Sequence, residues 1–366
     1  MRIGILTHHQ VLSHGALLQH YALTRYLQKL GHEVYTLTYD KNMDFADKKD
    51  QQKFSVGIKS IPFYIQEYLC KKGPNFVWTM FKKHMQLQEF SRKHFSFLPY
   101  VQGDVDLAIV GSDEVWSLQL GYNPMMFGHA VNAKCLISYA PSFGQTTITE
   151  MITRNCIALI TSGISCMDAV SVRDKGSADI VYSLTGSLPH IVCDPVLLYG
   201  FDEELAAYQR LCNEKYVVVY GYNSNMNELE RVNAIRQYAK QCDAKVYSLG
   251  AYHRWCDKQI MCDPIEFLYW IKGAEAVFTD TFHGTIGSYL CRTPMVVYVR
   301  DTNNVKLDHL LSLLQLEDRK VTKERDIYTI LAENVMFDRL HSDFEKVRED
   351  SSMWLRNSIE KCTGED

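Results

Sequence analysis

Between residues 278 and 290 the chain reads FTDTFHGTIGSYL. An apolar run closes at Thr279, His283 follows, and Gly284 and Thr285 open a second apolar stretch that leads into RTPMVVYV. The pattern predicts a strand, a helix over residues 284–291 and another strand, with polar residues at the carboxyl edge of the first, where open α/β sheets place ligands. The first N–H groups of that helix, those of Gly284 and Thr285, have no intrahelical acceptor and carry the positive end of the helix dipole. They predict an anion site, with Thr281 and Thr285 as extra hydroxyl donors and Gly284 allowing close approach of a ligand. An imidazole beside a bound anion keeps its proton and can serve as a general acid. A His283 that only caps and packs its turn is the competing reading. Asp280 would repel an anion, so it is expected to point away or to pair with a cation.

GSDEVW places the opposite chemistry on a tight turn after a buried strand. There Asp113, beside Ser112, could accept hydrogen bonds from sugar hydroxyls or take a proton from one; the commoner fate of such an Asp is to bond its own turn. In SVRDKGS, Arg173 is a planar fork suited to phosphate or carboxylate, unless it pairs with Asp174 or Asp194. His8, His9, His14 and His20 in THHQVLSHGALLQH have no metal-ligand spacing, and His253, Cys256 and Cys262 lack a fourth ligand. Neither a metal nor a cofactor is expected.

These residues need a scaffold that brings strand ends together. RIGILT, GALLQHYALTRYLQKLG and HEVYTLTYD form a β-α-β opening with Gly31 as helix stop. VDLAIVGSDEVW, AKCLISYAPSFG, DAVSVRDKGS and HIVCDPVLL continue the alternation, each strand ending in polar or small residues. The pattern restarts at KYVVVYGYN, with helices over residues 226–242 and around PIEFLYWIKGA. The expectation is an α/β chain of two Rossmann-like domains with parallel sheets and a cleft between them, residues 1–198 and 199–366, the second ending in the amphipathic helix FEKVREDSSMWLRNSIEK.

Residues 41–100 interrupt the first domain with inserted helices. Lys71, Lys72, Lys82 and Lys83 are interleaved there with Phe63, Tyr64, Trp78 and Phe81, a mixture that either rests on an anionic membrane surface or packs on its own domain. A net charge of -4 gives no whole-chain case for nucleic acid. The start MRIGILT has none of the features of a signal peptide and no apolar run is long enough to span a bilayer, which predicts a cytoplasmic protein, with peripheral contact on the inner face of the membrane as the one membrane role left. Eleven cysteines without a repeated CxxC predict free thiols.

The ordered set SHGALLQHYAL, IVGSDEVWS, ISYAPSFG, SVRD, CDPVLL, FTDTFHGTIGS and LLQLEDR resembles the polysaccharide pyruvyl transferase family over nearly the whole chain. The resemblance implies a glycosyltransferase B-like arrangement, phosphoenolpyruvate as donor co-substrate, and a lipid-linked or nucleotide-linked sugar that receives pyruvate as a cyclic ketal during assembly of a bacterial surface polysaccharide. It puts His283 in the place of the catalytic acid and Arg173 in that of an anion clamp, with Gly15 and Gln19 in the family's first loop. Asp113, with Ser112 and His14, is assigned to the acceptor side. Where many members read asparagine, aromatic, glycine, alanine, this chain has Ser13, His14, Gly15 and Ala16. Thr281 stands where better studied members carry an arginine, and Arg292, Arg300, Lys306 and His309 are the candidates to replace it. Two other functions fit the same scaffold: a nucleotide-sugar-dependent glycosyltransferase, and a non-catalytic binding member of an assembly complex.

Overall fold

Short strands with apolar residues at successive positions, such as VDLAIV and YVVVY, have no face to give to water, so helices must cover both sides of any sheet they form. The computed structural model describes residues 1–39, 73–99, 104–300 and 304–364. Its first seven strands are β1 Arg2–Leu6, β2 Glu33–Thr38, β3 Phe97–Pro99, β4 Val105–Val110, β5 Ala133–Ser138, β6 Ala169–Val172 and β7 His190–Ile191. They form one parallel sheet in the order β3-β2-β1-β4-β5-β6-β7. The next five are β8 Tyr216–Tyr220, β9 Lys245–Leu249, β10 Lys258–Ile260, β11 Val277–Thr279 and β12 Met295–Val297, paired in parallel as β10-β9-β8-β11-β12. Strand order reverses between β1 and β4 in the first sheet and between β8 and β11 in the second. Such reversals open a crevice at the carboxyl ends of the strands.

The edge strands β3 and β10 have three residues each, too few for a periodic signal, and the sequence pattern does not disclose them. The helix expected over residues 226–242 is Leu229–Gln241, preceded by a separate turn of helix, Asn223–Met226. Of the aromatic-basic insertion, Phe63, Tyr64, Lys71 and Lys72 lie outside the described residues; its described part is the helix Pro74–His94, which leads into β3.

The helix Phe337–Thr363, expected with the second domain, crosses back onto the first sheet. There Ser351 Oγ accepts a hydrogen bond from the Cys193 N–H at 2.9 Å and Trp354 stacks on His190. Cys362 is joined to Cys135 of β5 in a disulfide, which corrects the expectation that all thiols are free; the other eight described cysteines are unpaired. Among the described residues no helix is long and apolar enough to cross a membrane.

Apolar packing is continuous between the two sheets, through Leu17, Leu18, Phe267 and Ile286. His14 sits at this seam, stacked on Phe267 at 5.0 Å with Nε2 2.9 Å from the Cys262 carbonyl. His20 is equally enclosed, 2.8 Å from Thr36 Oγ1, and His253 bonds Asn227 and the Gly221 carbonyl. Burial holds all three neutral: it pushes His14 and His20 down to about 3, helped by the charges of Lys83 and His9 respectively, and His253 to about 4. Unfolded histidine titrates near 6.5, so the unfolded chain binds the extra protons first as pH falls. Stability should therefore drop steadily from about pH 6.5 towards pH 4, by on the order of 1–2 kcal/mol per histidine at pH 5. A urea midpoint that stays level between pH 7 and pH 5 would contradict this account.

Candidate active site

Thr281 controls the position of His283. Its backbone is extended (φ -119°, ψ 148°) and its Oγ1 accepts from the Gly284 N–H at 3.0 Å, so it is the N-cap and the helix begins at Phe282, two residues earlier than the pattern predicts. His283 thus lies in the first turn of the helix Phe282–Leu290. The N–H groups without a partner among the described residues are those of Phe282 and His283, not those of Gly284 and Thr285. Gly284 is buried, and a Cβ there would fall 2.2 Å from Thr279 Oγ1; glycine is needed for strand-to-helix packing and not for ligand approach. Thr285 is also buried, its hydroxyl donating to the Thr281 carbonyl at 3.0 Å. The Thr281 hydroxyl is likewise engaged, by Gly284 and by Thr279 Oγ1 at 2.9 Å.

A second helix start meets this one. Ser13 caps the helix His14–Lys29 through the Ala16 N–H, and Gly15 in its first turn lies against the His283 ring, where a Cβ would sit 2.3 Å from Nδ1. The helix from the β1 reversal point and the helix that follows β11 therefore present their N-termini to the same space, which favours an anion there.

Carboxylates and a guanidinium complete the centre. Asp194 precedes Pro195, caps the helix Pro195–Tyr199 through Oδ1 and the Val196 N–H (2.9 Å), and turns Oδ2 to Arg173 (3.0 Å) and His283 Nε2 (3.6 Å). The last distance is too long for a hydrogen bond. Burial alone would raise the Asp194 carboxyl, but His283, Arg173 and the Val196 N–H outweigh it and hold it at about 2. Arg173 is buried, with its guanidinium 4.5 Å from the centre of the Phe282 ring and 3.9 Å from Asp113 Oδ1. The expected clamp is thus already engaged by carboxylates, as the ion-pair alternative with Asp194 foresaw. Asp174 instead caps the helix Lys175–Thr185.

Asp113 occupies the left-handed region (φ 78°), costly for a residue with a Cβ and imposed here by a bridge to Pro141 and by the Ser142 N–H on its carbonyl at 2.8 Å. Burial would raise its carboxyl; Arg173, His283, His8 and Lys306 together keep it below the usual range.

His283, Arg173 and Asp113 line a cleft of about 550 Å³ shared by both domains, with His8, Ser13, Gly15, Glu114, Tyr220, Tyr222, Arg300 and Lys306 among the walls and Asp194 behind them. Lys306 spans it to Glu114 at 2.5 Å. Asp280 faces away from the anion site, as its charge requires: it accepts from the Tyr222 N–H and Asn225 and pairs with Arg300 Nε at 3.1 Å.

Several expected site residues fall elsewhere. Arg292 is beyond the far end of the Phe282–Leu290 helix, exposed and paired with Asp338, because the helix that starts at the cleft carries the chain away from it. His14 is sealed between the domains. Ser112 and Gln19 are buried and hydrogen-bonded to each other, so they brace the β4 turn against the first helix and leave the cleft to Asp113. The sequence reading passed over Asp194 as a site residue, although CDPVLL carried it; an Asp before Pro is satisfied by capping, and its second oxygen leaves no pattern. No group of three or more His, Cys, Asp or Glu that could hold a metal ion occurs among the described residues.

Two parallel sheets joined by packed helices, with a cleft at their facing switch points and an imidazole, a guanidinium and a carboxylate inside it, give the chain the architecture of the glycosyltransferase B fold. Solved structures of similar fold include the glycotransferase of kitacinnamycin (12% identity, 99% of this chain and 98% of that one, TM-score 0.50) and the spinosyn rhamnosyltransferase SpnG (12%, 98% and 99%, TM-score 0.47). A third is UDP-GlcNAc 2-epimerase from Neisseria meningitidis bound to UDP-GlcNAc (9%, 99% and 100%, TM-score 0.47). Identities this low speak to fold alone. Comparison with curated protein sequences gave no match. Residues 14–302 match the family described as polysaccharide pyruvyl transferase, and the chain belongs to that family. Its class of activity is accordingly polysaccharide modification by a transferase.

Proposed function

We propose that the protein transfers the pyruvyl group of phosphoenolpyruvate to two hydroxyls of one sugar, forming a cyclic ketal and releasing inorganic phosphate. The observation that carries this reading is the meeting of His283, Asp194, Arg173 and Asp113 at two convergent helix N-termini. Phosphoenolpyruvate brings two anionic groups, which suit the unpartnered N–H groups of Phe282 and His283 and the guanidinium of Arg173. His283 donates a proton to the methylene carbon, and the central carbon becomes electrophilic. One sugar hydroxyl adds there and gives its proton to Asp113, which is ionised at neutral pH; the phosphate leaves with its bridging oxygen, and the second hydroxyl closes the ring as its proton passes to the departing phosphate, the proton on Asp113 returning to His283. Asp194 orients the imidazole.

Calorimetric titration with phosphoenolpyruvate, UDP and a UDP-sugar tests the donor. Selective binding of phosphoenolpyruvate is expected; a signal for the nucleotide with none for phosphoenolpyruvate would transfer the assignment to glycosyl transfer.

A further inference from the structure

The helix Pro74–His94 has two unlike faces. Phe76, Leu87 and Phe90 are buried against the rest of the chain, and Met80 and Lys83, on the same side, line the cleft with Phe76. Half a turn round the helix, Trp78, Phe81 and Met85 recur at the spacing that places side chains on one face, and they remain 57%, 53% and 49% exposed. Trp78 and Phe81 stack with ring centres 5.9 Å apart, and the Lys82 ammonium lies 5.2 Å from the centre of the Trp78 ring. Arg92 continues the line of this ridge beyond Met85, with Lys93 beside it, and both are exposed. The helix carries four Lys and Arg residues against the single acid Glu89. Over residues 41–100 the sequence has 11 Lys and Arg against five Asp and Glu, although the whole chain has 39 against 43. Positive charge is therefore gathered on a segment that also turns large apolar side chains to the outside.

We propose that this ridge docks the protein on the surface of an anionic lipid bilayer, with Trp78, Phe81 and Met85 set among the headgroups and Lys82, Arg92 and Lys93 paired with lipid phosphates. A helix with aromatic and apolar side chains along one face and basic ones beside them lies in the plane of a bilayer interface, where the rings leave water and the cations meet negative charge. A protein partner suits the ridge less well: the buried centres of protein interfaces are depleted of lysine, and Lys82 sits against the Trp78 ring. The side of the helix that lines the cleft faces the other way, so docking holds that cleft wall about one helix diameter, roughly 10 Å, from the bilayer. The ridge takes no part in the chemistry assigned to His283 and stands or falls apart from it.

Co-sedimentation of the full chain with vesicles of phosphatidylglycerol and phosphatidylcholine in equal parts, and with vesicles of phosphatidylcholine alone, tests the surface. The wild type should bind the anionic vesicles roughly 10-fold or more tightly than the neutral ones, with its tryptophan emission shifted to shorter wavelength, and high salt should release it. Trp78→Ser combined with Phe81→Ser, and separately Lys82→Glu combined with Arg92→Glu, should each weaken binding by roughly 10-fold or more, the first through lost apolar insertion and the second through reversed charge. Trp78→Phe should keep most of the affinity and lose the emission shift, because Trp78 is the tryptophan of this helix. All the side chains changed are exposed, so every variant should unfold at the wild-type temperature. The proposal is overturned if the wild type does not bind anionic vesicles, if it binds neutral ones as tightly, or if either double variant binds as the wild type does. It is overturned as well if Trp78→Ser with Phe81→Ser converts a wild-type dimer into a monomer in analytical ultracentrifugation, since a second copy of the chain would then be the occupant of the ridge.

Discussion

His283→Ala should fold with wild-type stability and lose on the order of 10² or more in turnover, which corresponds to about 2.7 kcal/mol of transition-state stabilisation. The two halves of this expectation have separate origins. The ring reaches Asp194 only at 3.6 Å, while Asp194 retains Arg173 at 3.0 Å and its own cap, so removal of the imidazole leaves no buried charge without a partner. The chemistry, by contrast, needs a proton delivered to carbon, and among the cleft residues His283 is the one held at the junction of both helix starts. Turnover of phosphoenolpyruvate, followed as phosphate release with a sugar acceptor, together with a urea titration of the same preparation, separates catalysis from folding. A variant that unfolds early but turns over normally while folded would make His283 a packing residue.

The strand-and-helix alternation of the sequence was enough to predict two parallel sheets, because strands such as β8, and β4 from Leu107 to Val110, are apolar runs that announce burial on both faces. It also located His283, Arg173 and Asp113, each at the carboxyl end of a strand. Partner choice was not legible. Whether Thr281 faces a ligand or caps a helix depends on one dihedral angle, and that angle removed Gly284, Thr285 and the Thr281 hydroxyl from the set. Arg292 was misplaced because a charge one helix length from a site looks adjacent in sequence. Residues distant along the chain meet at the centre, Asp194 from the end of the first sheet and His283 from the second. Only the closing of the two domains on each other reveals that meeting.

Asp194→Ala should be the most destabilising single change at the centre, by roughly 3–5 kcal/mol for the stranded Arg173 and about 1 kcal/mol for the lost cap. Arg173 would keep only Asp113, at 3.9 Å, and the stack on Phe282. Asp194→Asn retains the shape and an oxygen for the Val196 N–H, so its cost should be smaller and come from charge alone. That charge has a signature in pH. The folded carboxyl titrates at about 2 and the unfolded one near 3.9, so its contribution is complete above about pH 4 and is lost as pH falls towards 2; the Asn variant should lack this segment of the acid limb. Donor affinity should move the other way from stability. Neutralising a carboxylate beside the anion site frees Arg173, so the folded Asn variant should bind phosphoenolpyruvate at least as tightly as the wild type while turning over more slowly, since His283 has lost the group that orients it. Equal urea midpoints for Asp194→Ala and the wild type would show that Arg173 has no need of Asp194. Weaker phosphoenolpyruvate binding in Asp194→Asn would show that the carboxylate helps to hold the donor, and the charge argument for the site would have to be abandoned.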